Sequence, residues 1–409
     1  MTDFRLLASG MTLSWLGNGF QTVALAVAVL VAGGGAGDLG LVMAATVVAL
    51  LICTLFGGVW ADRVQPQRLM VLSDAVRVLT TAAVAVMFAS GTYHLVVLCV
   101  LVAVSAGAGA FFEPAMSALK PMLVPPERRR QANATLSMLQ NACRVAGPAL
   151  GGVVVAAAGA PAGFAVNAVS FAASGVAALL IRTRATRVAG AGLLSELGAG
   201  WRAIRERDWL LTGTLAATGY HLANGVVLVL VQVVAVEQLG GARTAGFVAA
   251  AEGVGGVLGA AVALRWRTRR LLLAGWPGVL LMPLWALAYV WPGTLVAVLA
   301  GAVVGYAGLF FYAVAWDTAV QDHVPHSVLA RVVSWEILGS YLALPVGNAL
   351  AGPLARSIGI DTSLMAAAAV MFGAALVPLT VRGTRELTRP QPRSAPPPSP
   401  RPPAARARR

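Results

Sequence analysis

Twelve stretches of about 20 mostly apolar residues follow one another along this chain, and nothing else in the sequence restricts its fold so strongly. A run of that length forms a helix in lipid, because only intrahelical bonding satisfies its backbone once water is gone. The runs fall near 11–32, 39–60, 69–90, 94–113, 134–158 and 162–181, then near 210–236, 244–264, 271–290, 293–315, 332–354 and 361–381. Only 11% of the residues are charged, too few to coat a water-soluble chain of 409 residues. The expected fold class is therefore an all-α membrane protein of twelve transmembrane helices.

The net charge of +14 would suggest nucleic acid in a soluble protein. Here it reports topology, and no nucleic-acid partner is expected. Bases gather in the connections after even-numbered runs: Arg63 and Arg68, then Lys120 and Arg128 to Arg130, then Arg182 to Arg207, then Arg265 to Arg270. The other connections hold only Arg243 and Arg356. An excess of bases marks the cytoplasmic side, so both termini are expected in the cytoplasm of a cell (inner) membrane protein. The run beginning near Met11 is too long for a cleaved signal peptide and should stay as the first span. Cys53, Cys99 and Cys143 lie inside apolar runs and read as small core residues, not as disulfides or ligands.

The chain repeats itself at an offset of about 200 residues. Phe111 matches Phe311, Val124-Pro125 matches Val324-Pro325, and Gly147, Gly152 and Gly159 match Gly347, Gly352 and Gly359. Two six-helix bundles follow, over 1–181 and 210–381. They are joined by a cytoplasmic linker, 182–209, in which Ser195 to Trp209 is predicted to form an amphipathic surface helix. The tail, 382–409, is rich in Pro, Ala and Arg, is expected to be disordered, and could touch anionic membrane lipid.

Between the second and third runs the chain reads Gly58, Asp62, Arg63, Gln65, Pro66 and Arg68, a charged hairpin that cannot lie in hydrocarbon. This resembles the signature loop of major facilitator superfamily transporters, with Gln65 standing where that family has a second glycine. Gly147-Pro148-Ala149-Leu150-Gly151-Gly152 resembles the fifth-helix motif of exporters in the same superfamily, with Cys143 at the place of an earlier glycine. Phe112-Glu113-Pro114-Ala115, Leu123-Val124-Pro125 and Ala132-Asn133-Ala134 add to the likeness and point to its macrolide-efflux and enterobactin-exporter-like branch. The resemblance implies two six-helix pseudo-repeats, alternating access, and export of a small molecule (a drug, macrolide, siderophore or secondary metabolite) in exchange for protons. Import, lipid transport or a non-transporting sensor or scaffold are the rival readings. The fourth-helix arginine tied to proton coupling in many relatives has no counterpart, since the aligned stretch runs from Ala103 to Gly109.

Polar groups deep in apolar runs are the candidate working parts. Arg144 lies roughly 15 Å from the inner edge of its run and Glu252 roughly 12 Å from the outer edge of its own. At similar depth, on helices that meet in the implied fold, they are expected to pair, and Glu252, Arg144 and His221 are the candidate proton-coupling residues. Asn18, Gln21, His221, Asn224 and Gln232 are the candidate substrate cavity, suited to a bulky amphipathic small molecule. Glu113, Asp317, Asp322, Arg331 and Glu336 are placed at cytoplasmic helix ends, where with Asp62, Arg63, Asp74 and Arg77 they would close an inner gate. Phosphate-binding loops, zinc-protease signatures and serine-nucleophile elbows do not occur, so neither a catalytic role nor a cofactor or metal is expected. A monomer is expected.

Overall fold

The computed structural model describes residues 2–61, 64–182, 201–266, 268, 270–291 and 294–388, the side chains of 55–61, 271, 326, 327 and 330 aside. Among the described residues twelve segments are long and apolar enough to cross a membrane. The first half comprises α1 Thr2–Val31, α2 Ala36–Ala61, α3 Pro66–Ala89, α4 Leu95–Leu123, α5 Arg129–Ala158 and α6 Ala160–Leu180. The second comprises α7 Asp208–Glu237, α8 Ala242–Arg265, α9 Leu271–Val290, α10 Leu295–His323, α11 His326–Tyr341, α12 Leu344–Ile358 and α13 Ile360–Leu376, followed by a short α14 Arg382–Glu386. Both described chain ends lie on one face, called here the terminal face; the opposite one is the far face.

Punctuation residues set these boundaries. Pro66 opens α3, where its missing N–H costs nothing. Gly159 and Gly359 both adopt φ +82°, a conformation that only glycine takes freely, and each reverses the chain within one residue. Their spacing of 200 residues carries the internal repeat into the backbone. The same holds for packing: Gly147 of α5 seats against Gly19 of α1, and Gly347 of α12 seats against Gly225 of α7.

Several helices run past the apolar stretches that announced them. α1 begins at Thr2, α4 continues to Leu123, α5 begins at Arg129 and α10 ends at His323. Hydropathy measures contact with lipid, whereas these extensions pack on one another. Leu7, Met116, Leu119, Leu123, Leu136 and Ile181 form a buried cluster at the terminal face. As a result Glu113 lies well inside α4 and not at its end, which corrects its expected depth. The eleventh span is two helices, not one: the ladder breaks at Leu342 and Ala343, ahead of Pro345 in the first turn of α12.

The linker is helical within the expected stretch but the helix stops at Glu206 and Arg207, ahead of α7, and the start of the tail differs from expectation. Residues 201–205 are helical, with Ala203 and Ile204 buried beside Trp209, Leu272 and Trp316. Residues 195–200 lie outside the described residues. The tail, expected to lack structure from Arg382, begins with α14, whose Thr384 is buried. His323 Nε2 also hydrogen-bonds the Thr388 carbonyl at 3.0 Å. Contacts of this kind with the bundle, not composition, order these few residues; those from 389 onward are not described.

The two halves meet chiefly along α5 with α8 and α2 with α12. Both contacts are glycine-lined near the far face. A Cβ added to Gly152 would stand 2.9 Å from the Gly246 Cα, and one added to Gly352 would collide with Gly37. Backbones this close exclude any side chain and seal that end. Beside the seal, the Tyr93 hydroxyl donates to Asp38 Oδ2 at 3.0 Å, and burial together with this carboxylate pushes the Tyr93 pKa well up. Gly152→Leu should wedge α5 from α8. In a variant with its native cysteines replaced, spin labels at Thr92 and Gln238 should then move apart by about 2 Å or more, read by pulsed electron resonance. An unchanged distance would show that the glycine contact does not set the spacing.

Candidate functional site

Away from the seal the interface turns polar. α5 carries Asn133, Ser137, Gln140, Asn141 and Arg144 on one stripe, all exposed, while Ala132, Leu136, Cys143 and Gly147 are buried on the other side. A charge facing hydrocarbon at mid-membrane costs about 3 kcal/mol even on lenient insertion scales. The stripe therefore lines a water-accessible cleft between the halves that opens toward the terminal face. Of its members, only Arg144 was picked out from the sequence as a candidate working part, Asn133 having entered as part of a family phrase. The others were legible as polar residues three or four apart in an otherwise apolar run.

The cleft's second wall is α7. His221, Asn224, Leu228 and Gln232 are half-buried along one line of a helix otherwise buried over most of its length. His221 Nδ1 lies 2.8 Å from the Ala217 carbonyl. A carbonyl only accepts, so Nδ1 holds a proton and Nε2 is the accepting nitrogen of the neutral ring. The ring stacks on Tyr341 at 4.2 Å between centroids, beside the break in the eleventh span. Asn224 Oδ1 and Gln232 Oε1 have no partner among the described residues.

On α1 the two predicted cavity residues separate. Asn18 is exposed and accepts from Arg77 Nη2 at 3.2 Å. Gln21 accepts a hydrogen bond from Asn167 Nδ2 of α6, which makes it a helix–helix tie.

Arg144 and Glu252 do not pair. Their helices do meet, but at that level α8 presents Gly253, where an added Cβ would lie 3.0 Å from the Arg144 carbonyl. Glu252 is one residue further round the helix and faces Tyr306 of α10 and Tyr289 of α9 instead. The Arg144 guanidinium lies over the Phe310 ring, 5.0 Å from its centroid. Helix contact was inferable from depth; which residue of the turn made it was not.

At the terminal face, Asp62 and Arg63 of the hairpin lie outside the described residues, and Gly58 is described only as helical backbone. Arg68 is exposed on the first turn of α3. Of the remaining predicted gate charges, Glu336 accepts from Trp316 Nε1, which ties α11 to α10, and Asp317 is exposed. Trp335 stacks on Trp201 of the linker, 5.4 Å between centroids. In the span-five motif Gly147 and Gly151 abut Gly19 and Phe20 of α1, while Gly152 abuts Gly246 of α8 and the Pro148 carbonyl also faces Gly246. One short motif thus packs α5 within its own half and against the other.

Two six-helix bundles, sealed at one face and parted by a polar cleft at the other, define a polytopic membrane protein of the transporter type. Residues 7–343 match the Major Facilitator Superfamily, and the chain belongs to that family. It is 30% identical over 397 residues to the multidrug efflux pump Tap of Mycolicibacterium fortuitum, covering 91% of this chain and 93% of that protein. It is 26% identical to the uncharacterized MFS-type transporter YfiS of Bacillus subtilis (strain 168), over 84% of each. Among solved structures, a bacterial homologue of the iron transporter ferroportin in an inward-facing state superposes with a TM-score of 0.75 at 17% identity, over 92% of this chain and 98% of the other. That likeness concerns the fold.

If Gln21 is a structural tie, Gln21→Leu should lower the stability of the purified protein by about 1 kcal/mol. Adding Asn167→Leu should restore part of the loss, because the unpaired amide goes with it. Thermal unfolding in detergent measures both; a single variant as stable as the parent would remove Gln21 from that role.

Proposed function

We propose that this protein exports a small organic molecule across the plasma membrane in exchange for protons, by alternating access of the cleft between its halves. The observation that carries the reading is the full-length likeness to a multidrug efflux pump, joined to a cleft that sets aromatic rings among few charges. The positive-inside rule assigns the terminal face to the cytoplasm. On that assignment the cleft faces inward and the glycine seal closes the outside.

His221, Tyr341, Asn224, Gln232, Asn18 and Phe310 would surround the solute. Such a wall suits a bulky amphipathic molecule, since aromatic faces supply area and a few amides fix orientation. It suits a sugar phosphate or inorganic anion poorly, because those want several bases. Glu252 is a carboxyl group in an apolar, tyrosine-lined setting, and protons reaching it would alter the contact of α8 with α10. His221 and Arg144, on the two walls of the cleft, are the other candidate coupling residues, His221 as a group that can take a proton and Arg144 as a fixed positive charge. Asp62 and Arg63, in the hairpin, would close the cytoplasmic side in the alternate state. The protein would work as a monomer in lipid, with no cofactor.

A proton moving down one pH unit releases about 1.4 kcal/mol, enough to hold roughly a tenfold solute gradient at one proton per molecule. The test is accumulation of a drug and metabolite panel in an efflux-deficient bacterial host. Expression should lower the accumulation of at least one compound, and a protonophore should abolish the difference. Glu252→Gln should reduce that efflux about tenfold with normal membrane insertion. Failure to lower any compound would count against export, and efflux indifferent to the protonophore would count against antiport.

A further inference from the structure

The first half holds three charged groups that the reading above leaves idle. Asp74 and Arg77 lie one turn apart on α3, about 12 and 17 Å along the helix from Pro66, deep in the membrane. Arg77 Nη1 donates to Asp74 Oδ1 at 3.3 Å, and Nη2 donates to Asn18 on the cleft-lining α1 at 3.2 Å. The guanidinium stacks on Phe171 of α6, 3.6 Å from the ring centroid, with Phe112 of α4 at 6.0 Å. It passes Gly109 of α4, where an added Cβ would already be in contact with Nε at 3.8 Å.

Asp74 is 1% exposed, and its second oxygen, Oδ2, has no hydrogen-bond partner among the described residues. The Ser174 hydroxyl of α6 is the side chain's other hydrogen-bonding neighbour, and Gly175 borders it. On the other side of the guanidinium, Glu113 of α4 is exposed and within electrostatic reach of Arg77. Lys120, two turns along α4, is the further base that Glu113 feels.

Arg77 is thus one cation between two carboxylates. With both ionised, Arg77 is the one cation close to both carboxylates, since Lys120 is about 10 Å further along α4, and the buried Asp74 keeps Oδ2 without a hydrogen-bond partner among the described residues. A single proton removes the surplus charge.

We propose that Asp74 and Glu113 form a second proton site, one that binds a single proton while Arg77 pairs with whichever carboxylate is ionised. When Glu113, which is exposed, takes a proton from water, a carboxyl O–H forms there and Arg77 holds Asp74. When the proton sits on Asp74 Oδ2, Arg77 swings to Glu113 and releases Asn18, so the charge state of α3 and α4 is felt by α1 at the cleft. This assignment rests on the antiport reading and supplies its proton-bearing residues in the first half.

The purified full-length protein in detergent tests it by infrared spectroscopy of the carbonyl band of protonated carboxyl groups across a pH series. Either Asp74→Asn or Glu113→Gln alone should remove the band of one carboxyl, because the remaining carboxylate then neutralises Arg77 unaided. The double variant should remove no more than either single one. A band unchanged in the single variants, or losses that add in the double, would overturn the proposal. Glu113 is exposed, so Glu113→Gln keeps the test open if Asp74→Asn fails to fold.

In proteoliposomes, with ethidium as the probe, both variants should lose pH-driven movement about tenfold and keep ethidium counterflow within about twofold of the parent. Loss of counterflow to the same extent as pH-driven movement would assign the cluster to solute handling and overturn it. A parent protein that moves no ethidium under a pH gradient, yet shows the infrared pattern, would refute ethidium antiport and leave the proton site standing.

Discussion

Water is absent from the bilayer core, and every polar group in this protein is disposed by that fact. Backbone groups are satisfied within helices. Some buried polar side chains are tied to one another, as Gln21 is to Asn167, and others are set against rings, as Arg77 is on Phe171. A further set of polar side chains lines α5 and α7, where the halves part. The cleft is thus the consequence of an exclusion: it is the place in the membrane where these groups can stay wet.

The same exclusion explains the seal. Association of apolar helices in lipid gains nothing from the hydrophobic effect, so it depends on close packing of backbones. Gly152 on Gly246 and Gly352 on Gly37 supply that closeness on both sides of the cleft's closed end. A contact made of backbone alone gives up few specific bonds when it opens. Larger interlocked side chains would resist the rocking that the proposed cycle requires.

Architecture was legible in the sequence because it follows from the length of apolar runs and the positions of Gly and Pro. The twelve spans and the 200-residue repeat are of this kind. Details that depend on rotation about a helix axis were not legible. Depth brought Arg144 and Glu252 to one level, yet Gly253 takes the contact and Glu252 turns toward Tyr306. Asn18 and Gln21 are one turn apart, and one faces the cleft side while the other is held by α6. Glu113 was placed at a helix end because the terminal-face extension of α4, packed through Leu119 and Leu123, is invisible to hydropathy.

The interruption at Leu342 and Ala343 makes the two repeats mechanically unequal. α5 is one unbroken rod of 30 residues, whereas its counterpart is split into segments of 16 and 15. The outer segment is clamped to α2 at Gly352, and the inner one carries Tyr341 against His221 and Trp335 against the linker's Trp201. A joint there lets the inner segment swivel while the outer one stays docked. The bend in the permeation path would then belong to the C-terminal bundle alone, and the loop connecting the bundles, resting on Trp335, would register its motion.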